Sequence, residues 1–180
     1  MAKNKKRILL GVTGSIAAYK SAEIIRRLQD EGCCVVVAMT KEAKEFITPL
    51  TFQTLSQNKV YSDMFEQDFV WEIEHISLAG SSDLVLIAPA TANIIAKITY
   101  GICDDLLSSV VLATRAPILI APAMDEGMYT NKITQENIKK LKSLGMKFIE
   151  PIKGKLASGK IGVGHLAEVE DIVKAVKKVL

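Results

Sequence analysis

The chain has 180 residues, 49% of them hydrophobic, and 23 Lys and Arg against 20 Asp and Glu give a net charge of +3. This length suits one domain over residues 1–180, with a sizeable core and no room for a second full one, since domains commonly run to roughly 100–150 residues. The basic excess at residues 3–7 and 174–178 is weak support for nucleic-acid binding, and the apolar runs at 84–90 and 116–123 are too short to span a bilayer. No cleavable leader follows the basic start, so a cytoplasmic protein with no nucleic-acid or membrane partner is expected. Three cysteines, Cys33, Cys34 and Cys103, have neither zinc spacing nor the even count of a disulfide framework, and they read as reduced and mostly buried.

In chain order, apolar runs alternate with stretches of helical period, the pattern of parallel strands joined by crossover helices. Residues 7–12 predict a first strand, 16–32 a helix stopped by Gly32, 33–39 a β-branched second strand, and 41 onward a short helix. Residues 48–71 give only short helical or irregular pieces. A helix over 75–82 leads into a strand over 84–88, helices follow over 93–100 and 105–114, and 118–121 predicts another buried strand. The apolar spacing of 135–144 predicts a helix ended by Gly145, and 147–150 a short last strand. Residues 154–164 hold four glycines in eleven positions and read as a loop, with a closing amphipathic helix over 170–180. The expected fold class is α/β, a doubly wound and mainly parallel sheet with helices on both faces.

In such sheets ligands bind beyond the carboxyl ends of the strands, so the residues just after each strand carry the information. After the first strand comes Thr13-Gly14-Ser15 at a helix start, where free N–H groups favour a phosphate, although an ordinary helix cap explains it equally. The spacing is neither GxGxxG nor a P-loop with its lysine. Thr40 ends the second strand, and Thr91 and Asn93 follow the strand over 84–88, so three polar turns predict a pocket at one sheet edge. Asp125 stands beyond the strand over 118–121 as a pocket carboxylate or a plain helix cap. His75 is one of two histidines and can do acid-base work if it faces that pocket. No Ser-His-Asp order, HExxH motif or metal-ligand cluster accompanies it.

These residues resemble the homo-oligomeric flavin-containing cysteine decarboxylases, and among them the phosphopantothenoylcysteine decarboxylases of coenzyme A synthesis. The resemblance covers nearly the whole chain: residues 11–20 (GVTGSIAAYK), 74–79 (EHISLA), 89–94 (PATANI), 122–128 (PAMDEGM), and a substrate clamp from Leu156 to Gly164. It implies a Rossmann-like or flavodoxin-like fold that binds FMN, with the phosphate at Gly14, Ser15 and Ile16 near Thr40 and Thr91, and Asn93 in the same group. It implies a site completed across a subunit boundary in a trimer or a dodecamer. It assigns catalysis to His75, Asp125 and Ser158, and substrate binding to Asp125, Met128, Ala157 and Ser158. The implied reaction takes the cysteine thiol of 4'-phospho-N-pantothenoylcysteine to a thioaldehyde, releases carbon dioxide, and reduces the resulting enethiolate to 4'-phosphopantetheine.

The chain departs from the commonest family pattern at four places. Asp125 stands for an asparagine, and an ionised carboxylate roughly 4 Å from the substrate's would cost about 4 kcal/mol at an effective dielectric near 20, so a protonated Asp125 is implied in the complex. Ser158 stands for the clamp's cysteine proton donor, His165 for an arginine and Ile94 for a threonine. Many relatives continue into a ligase domain, so the chain is expected to be either a stand-alone domain or one excised from a bifunctional protein. Two alternatives compete: a lantibiotic-type peptidyl-cysteine decarboxylase that stops at the enethiol, and a non-catalytic flavin-binding regulatory subunit.

Overall fold

The computed structural model describes residues 5–64 and 74–180. Its centre is built from strands too apolar to leave either face in water. Strand β1 (Arg7–Val12) pairs in parallel with β2 (Cys34–Met39) on one side and β4 (Leu84–Ala90) on the other. The two-residue strand β3 (Val60–Tyr61) adds beyond β2, while β5 (Ile118–Pro122) and β6 (Lys147–Phe148) add beyond β4, giving the order β3-β2-β1-β4-β5-β6. All five pairings are parallel. This is the doubly wound order of Rossmann-type sheets rather than the flavodoxin order 2-1-3-4-5.

Alternate residues of each strand feed two separate cores, as the period of two requires. Ile8, Leu10 and Val12 pack with α1 (Ser21–Asp30), α2 (Pro49–Ser56) and α8 (Val169–Val179). Leu9, Val85 and Ile87 face the other way, onto α3 (Glu74–Ser81), α4 (Ala92–Tyr100), α5 (Leu106–Ala113) and α7 (Lys132–Ser143). On that side Gly11 leaves room for Leu107, whose methyl carbons would lie 2.6 and 2.8 Å from an added Cβ. Among the described residues no helix is long and apolar enough to cross a membrane.

The differences from the sequence reading are local. The helix over 16–32 divides into a 3-10 turn (Ile16–Lys20) and α1, at the point where the buried Ser21 hydroxyl donates to the Ala88 carbonyl 2.8 Å away. The short helix from Lys41 is a 3-10 turn, Lys41–Glu45. Residues 48–71 contain α2, begun by Pro49, and β3; residues 65–73 lie outside the described residues. The strand over 147–150 shrinks to Lys147–Phe148 and is not the last. The glycine-rich segment is no loop but an antiparallel hairpin of β7 (Ile152–Lys155) and β8 (Ile161–His165). Its glycines serve close docking rather than disorder: at Gly164, with φ of +142°, a Cβ would fall onto the Met124 carbonyl oxygen. The cysteines are free, but none is buried; Cys33 and Cys34 are half-buried and Cys103 is exposed.

Helix α5 owes its start to Asp105. Its carboxylate accepts the Ser108 N–H at 2.8 Å, the Ser108 hydroxyl accepts the Asp105 N–H in return, and Lys97 Nζ lies 2.9 Å from Oδ2. Burial works against ionisation of Asp105, but the Ser108 N–H and the Lys97 ammonium outweigh it and hold the carboxyl below its ordinary value of 3.8. A depressed folded value means stability that is present above the unfolded value and lost as pH falls through the folded one. Asp105→Ala should therefore cost about 0.5–2 kcal/mol near neutral pH. Urea denaturation should show that difference shrinking below pH 3.8, and a pH-independent difference would mean the carboxylate's charge plays no part.

Candidate active site

The carboxyl ends of β1, β2, β4 and β5 deliver the predicted residues to one edge of the sheet. At the switch point between β1 and β4, the Thr13 hydroxyl donates to the Pro89 carbonyl at 2.7 Å and accepts the Thr91 N–H at 3.1 Å, tying the two strand ends together. Ser15 caps the first 3-10 turn by accepting the Ala17 N–H at 3.4 Å, and Thr91 caps α4 by accepting the Ile94 N–H at 3.3 Å. Ile16 is exposed at the start of that turn, and Asn93 is exposed in the first turn of α4.

Two features at this edge suit a bound group. Thr40 is 5% exposed, and its side-chain oxygen is buried without a hydrogen-bond partner among the described residues. A buried hydroxyl left unpaired costs about 1–3 kcal/mol, so it calls for a ligand acceptor. Gly14 has no room for a side chain, because an added Cβ would overlap the Cβ of Glu42, which brings its backbone close to the β2 end. A phosphate group fits a turn of N–H groups and hydroxyls of this kind.

Beyond β5, both readings of Asp125 are realised. Asp125 is the N-cap of α6 (Glu126–Tyr129), its Oδ1 accepting the Gly127 N–H at 2.9 Å, while Oδ2 accepts the Ser158 hydroxyl at 3.1 Å. Two more bonds fasten the hairpin to the same segment: the Met124 N–H donates to the Gly164 carbonyl, and Glu126 Oε1 accepts the Val163 N–H, each at 3.0 Å. The hairpin, residues 123–125 ahead of α6 and the first 3-10 turn line a cavity of about 510 Å³, within the range of about 300–1,000 Å³ usual for small-molecule sites.

Of the predicted site residues, Ser15, Ile16, Asp125, Ala157 and Ser158 line this cavity together. Gly14, Thr40, Thr91 and Asn93 lie at the adjoining strand ends, and Met128, 51% exposed on α6, is outside the lining. His75 is half-buried in the first turn of α3, and among the described residues it too is outside the lining. Sequence reasoning gave no role to Lys20, Lys155 or Glu126, because only the docking of a hairpin more than 25 positions from each of Lys20 and Glu126 brings them to the site. Among the described residues no three His, Cys, Asp or Glu side chains meet as a metal site requires.

The Flavoprotein family matches residues 1–180. The coenzyme A biosynthesis bifunctional protein CoaBC of Bacillus subtilis is 45% identical over 175 residues, which cover 97% of this chain and 43% of that protein. The chain thus spans less than half the length of such bifunctional relatives. A protein of Streptococcus mutans named probable phosphopantothenoylcysteine decarboxylase is 46% identical, over 97% of this chain and 99% of its own length. Among solved structures, a PPC decarboxylase mutant complexed with pantothenoylaminoethenethiol has a TM-score of 0.89 at 32% identity, covering 97% of this chain and 98% of its own. The peptidyl-cysteine decarboxylase EpiD has a TM-score of 0.82 at 27% identity, covering 97% and 99%.

Proposed function

From the premise that this chain belongs to the Flavoprotein family, we propose that it is an FMN-dependent decarboxylase converting 4'-phospho-N-pantothenoylcysteine to 4'-phosphopantetheine in coenzyme A synthesis. The observation that carries this reading is the meeting of Asp125 and Ser158, 33 positions apart, at 3.1 Å on the wall of the cavity. The Streptococcus relative, matched over 99% of its length, and the PPC decarboxylase structure support the substrate class. FMN, when bound, supplies the two-electron chemistry that oxidises the cysteinyl thiol and later reduces the decarboxylated product. Gly14, Ser15 and Ile16 would hold its phosphate, with the Thr40 and Thr91 hydroxyls and the Asn93 amide beside it; the unpaired Thr40 hydroxyl supports this placement.

The chain's own groups divide the remaining work. His75 takes the thiol proton on its imidazole. Asp125 and Met128, with the hairpin turn at Ala157 and Ser158, hold the cysteinyl end with its carboxylate poised to leave as carbon dioxide. Asp125 Oδ2 accepts the Ser158 hydroxyl and orients it, and Ser158 relays a proton to the enethiolate carbon. The place of His75 outside the cavity lining, and the exposure of Ile16 (55%), Tyr19 (58%) and Ile76 (53%), favour a site completed by a second copy of the chain, in a trimer or a dodecamer. In bifunctional relatives a ligase domain would follow.

Incubating the FMN-loaded protein with phosphopantothenoylcysteine and weighing the product tests the reading. Loss of carbon dioxide alone is expected. Loss of carbon dioxide and two further hydrogens would mark an enzyme that stops at the enethiol, the peptidyl-cysteine type, a second reading favoured by a serine rather than a thiol at position 158. No carbon dioxide from either substrate would leave a flavin-binding subunit without catalysis.

A further inference from the structure

A hairpin of two strands is marginal by itself in water, and β7 with β8 forms a sheet of only two. It needs an anchor, and two hydrogen bonds from residues 124 and 126 supply one. The register opposes Lys153 to Val163 and Ile152 to His165, so Gly164 is the extra residue of a bulge, and its carbonyl accepts the Met124 N–H at 3.0 Å. That bond joins backbone to backbone, and any residue but proline at position 124 could make it. The second depends on a side chain: Glu126 Oε1 accepts the Val163 N–H at 3.0 Å, across 37 positions. Among the described residues no basic side chain pairs with this carboxylate. Its charge serves the strand's N–H, in a bond stronger than one between neutral groups.

Gly162 makes the contact possible. It is buried, and an added Cβ would lie 2.8 Å from both Cδ and Oε2 of Glu126, so the glycine of one element and the carboxylate of the other fit as a pair. Glu126 is outside the cavity lining, so it acts through another group. Its neighbour Asp125 holds the Ser158 hydroxyl at 3.1 Å, and Ser158 is exposed in the hairpin turn, five positions before Val163. Two adjacent carboxylates thus fix one hairpin at two points, the strand through Glu126 and the turn through Asp125. A strand free to shift by about 1 Å would carry Ser158 off that geometry, and misplacement of this size can cost about 100-fold in rate. We propose that Glu126 is a positioning residue, latching β8 so that Ser158 stays on Asp125 for the proton relay to the decarboxylated product. The proposal rests on the decarboxylase reading above for that relay alone.

Hydrogen exchange and product mass, both measured on the FMN-loaded protein, test the latch. In Glu126→Ala the amides of the hairpin peptide, residues 152–165, should exchange about 10-fold faster, and the ratio of 4'-phosphopantetheine to the unreduced enethiol should fall by about 10- to 100-fold. Glu126→Gln, which keeps an acceptor oxygen, should hold both quantities within about 3-fold of the wild type. Gly162→Ala reaches the same contact from β8 by displacing the carboxylate, and it should repeat the effects of Glu126→Ala. Flavin affinity should stay constant in all three, because neither residue belongs to the turns assigned to the flavin phosphate. Hairpin exchange at the wild-type rate in both Glu126→Ala and Gly162→Ala overturns the proposal. So does faster exchange with an unchanged product ratio, which would leave the contact a structural one. A wild type that yields only enethiol, or no carbon dioxide, overturns the parent reading instead, and the exchange rates then decide the latch on their own.

Discussion

Replacing His75 by asparagine should lower carbon dioxide release by about 10²–10⁴-fold, the usual contribution of a positioned general acid-base group, while the protein keeps its fold and its bound flavin. The expectation follows from location: His75 sits half-buried in the first turn of α3, on none of the turns where the flavin phosphate is proposed to bind. Because His75 is outside the lining that holds Asp125 and Ser158, the variant also probes assembly. Mixed with Asp125→Ala under conditions that let subunits exchange, His75→Asn should recover activity, since some sites would then draw an intact histidine from one copy and an intact carboxylate from another. Inactive variants that never complement each other in demonstrated hybrids would place both groups in a single-chain site.

The second large effect concerns Thr40, and its two halves have opposite signs. With an unpaired buried oxygen among the described residues, Thr40→Val should leave the flavin-free protein as stable as before or more stable by about 1 kcal/mol, because the desolvated hydroxyl is removed. Flavin affinity should fall by about 10- to 100-fold, the loss expected when a hydrogen bond to a charged phosphate disappears. Urea denaturation without flavin and fluorescence titration with FMN separate the two quantities. A destabilised apoprotein with unchanged flavin affinity would assign the hydroxyl to the fold instead. The backbone of Thr40 is already satisfied, its N–H donating to Val12 and its carbonyl accepting from Ala43, so the substitution touches only the side chain.

Much of the central sheet was legible because its signals are local. The β-branched run at Val35, Val36 and Val37 and the unbroken apolar stretch of β4 can only be strands buried on both faces. Asp125 was legible as a cap because a side-chain oxygen just before a helix has one common use. Where the reading erred, a local signal pointed the wrong way. Four glycines argued for a loop over 154–164, yet Gly162 and Gly164 admit the Glu126 carboxylate and the Met124 carbonyl to the hairpin strand, and a glycine's tolerance of close approach is invisible until the neighbour is known. The helix over 16–32 ran too long for the same reason, since its break answers a hydrogen bond from Ser21 to a carbonyl 67 positions away.

The sequence by itself determined the alternation of strands and helices, the polar turns that follow the strands, and the family, since periodicity and short motifs are properties of neighbouring residues. The tertiary structure alone decided which of those turns share a wall. Ser158 meets Asp125 across 33 positions and Lys20 meets His165 across 145, because a hairpin packed by glycines folds back over the carboxyl edge of the sheet. Contacts at that separation depend on how two surfaces dock, and no spacing along the chain records it.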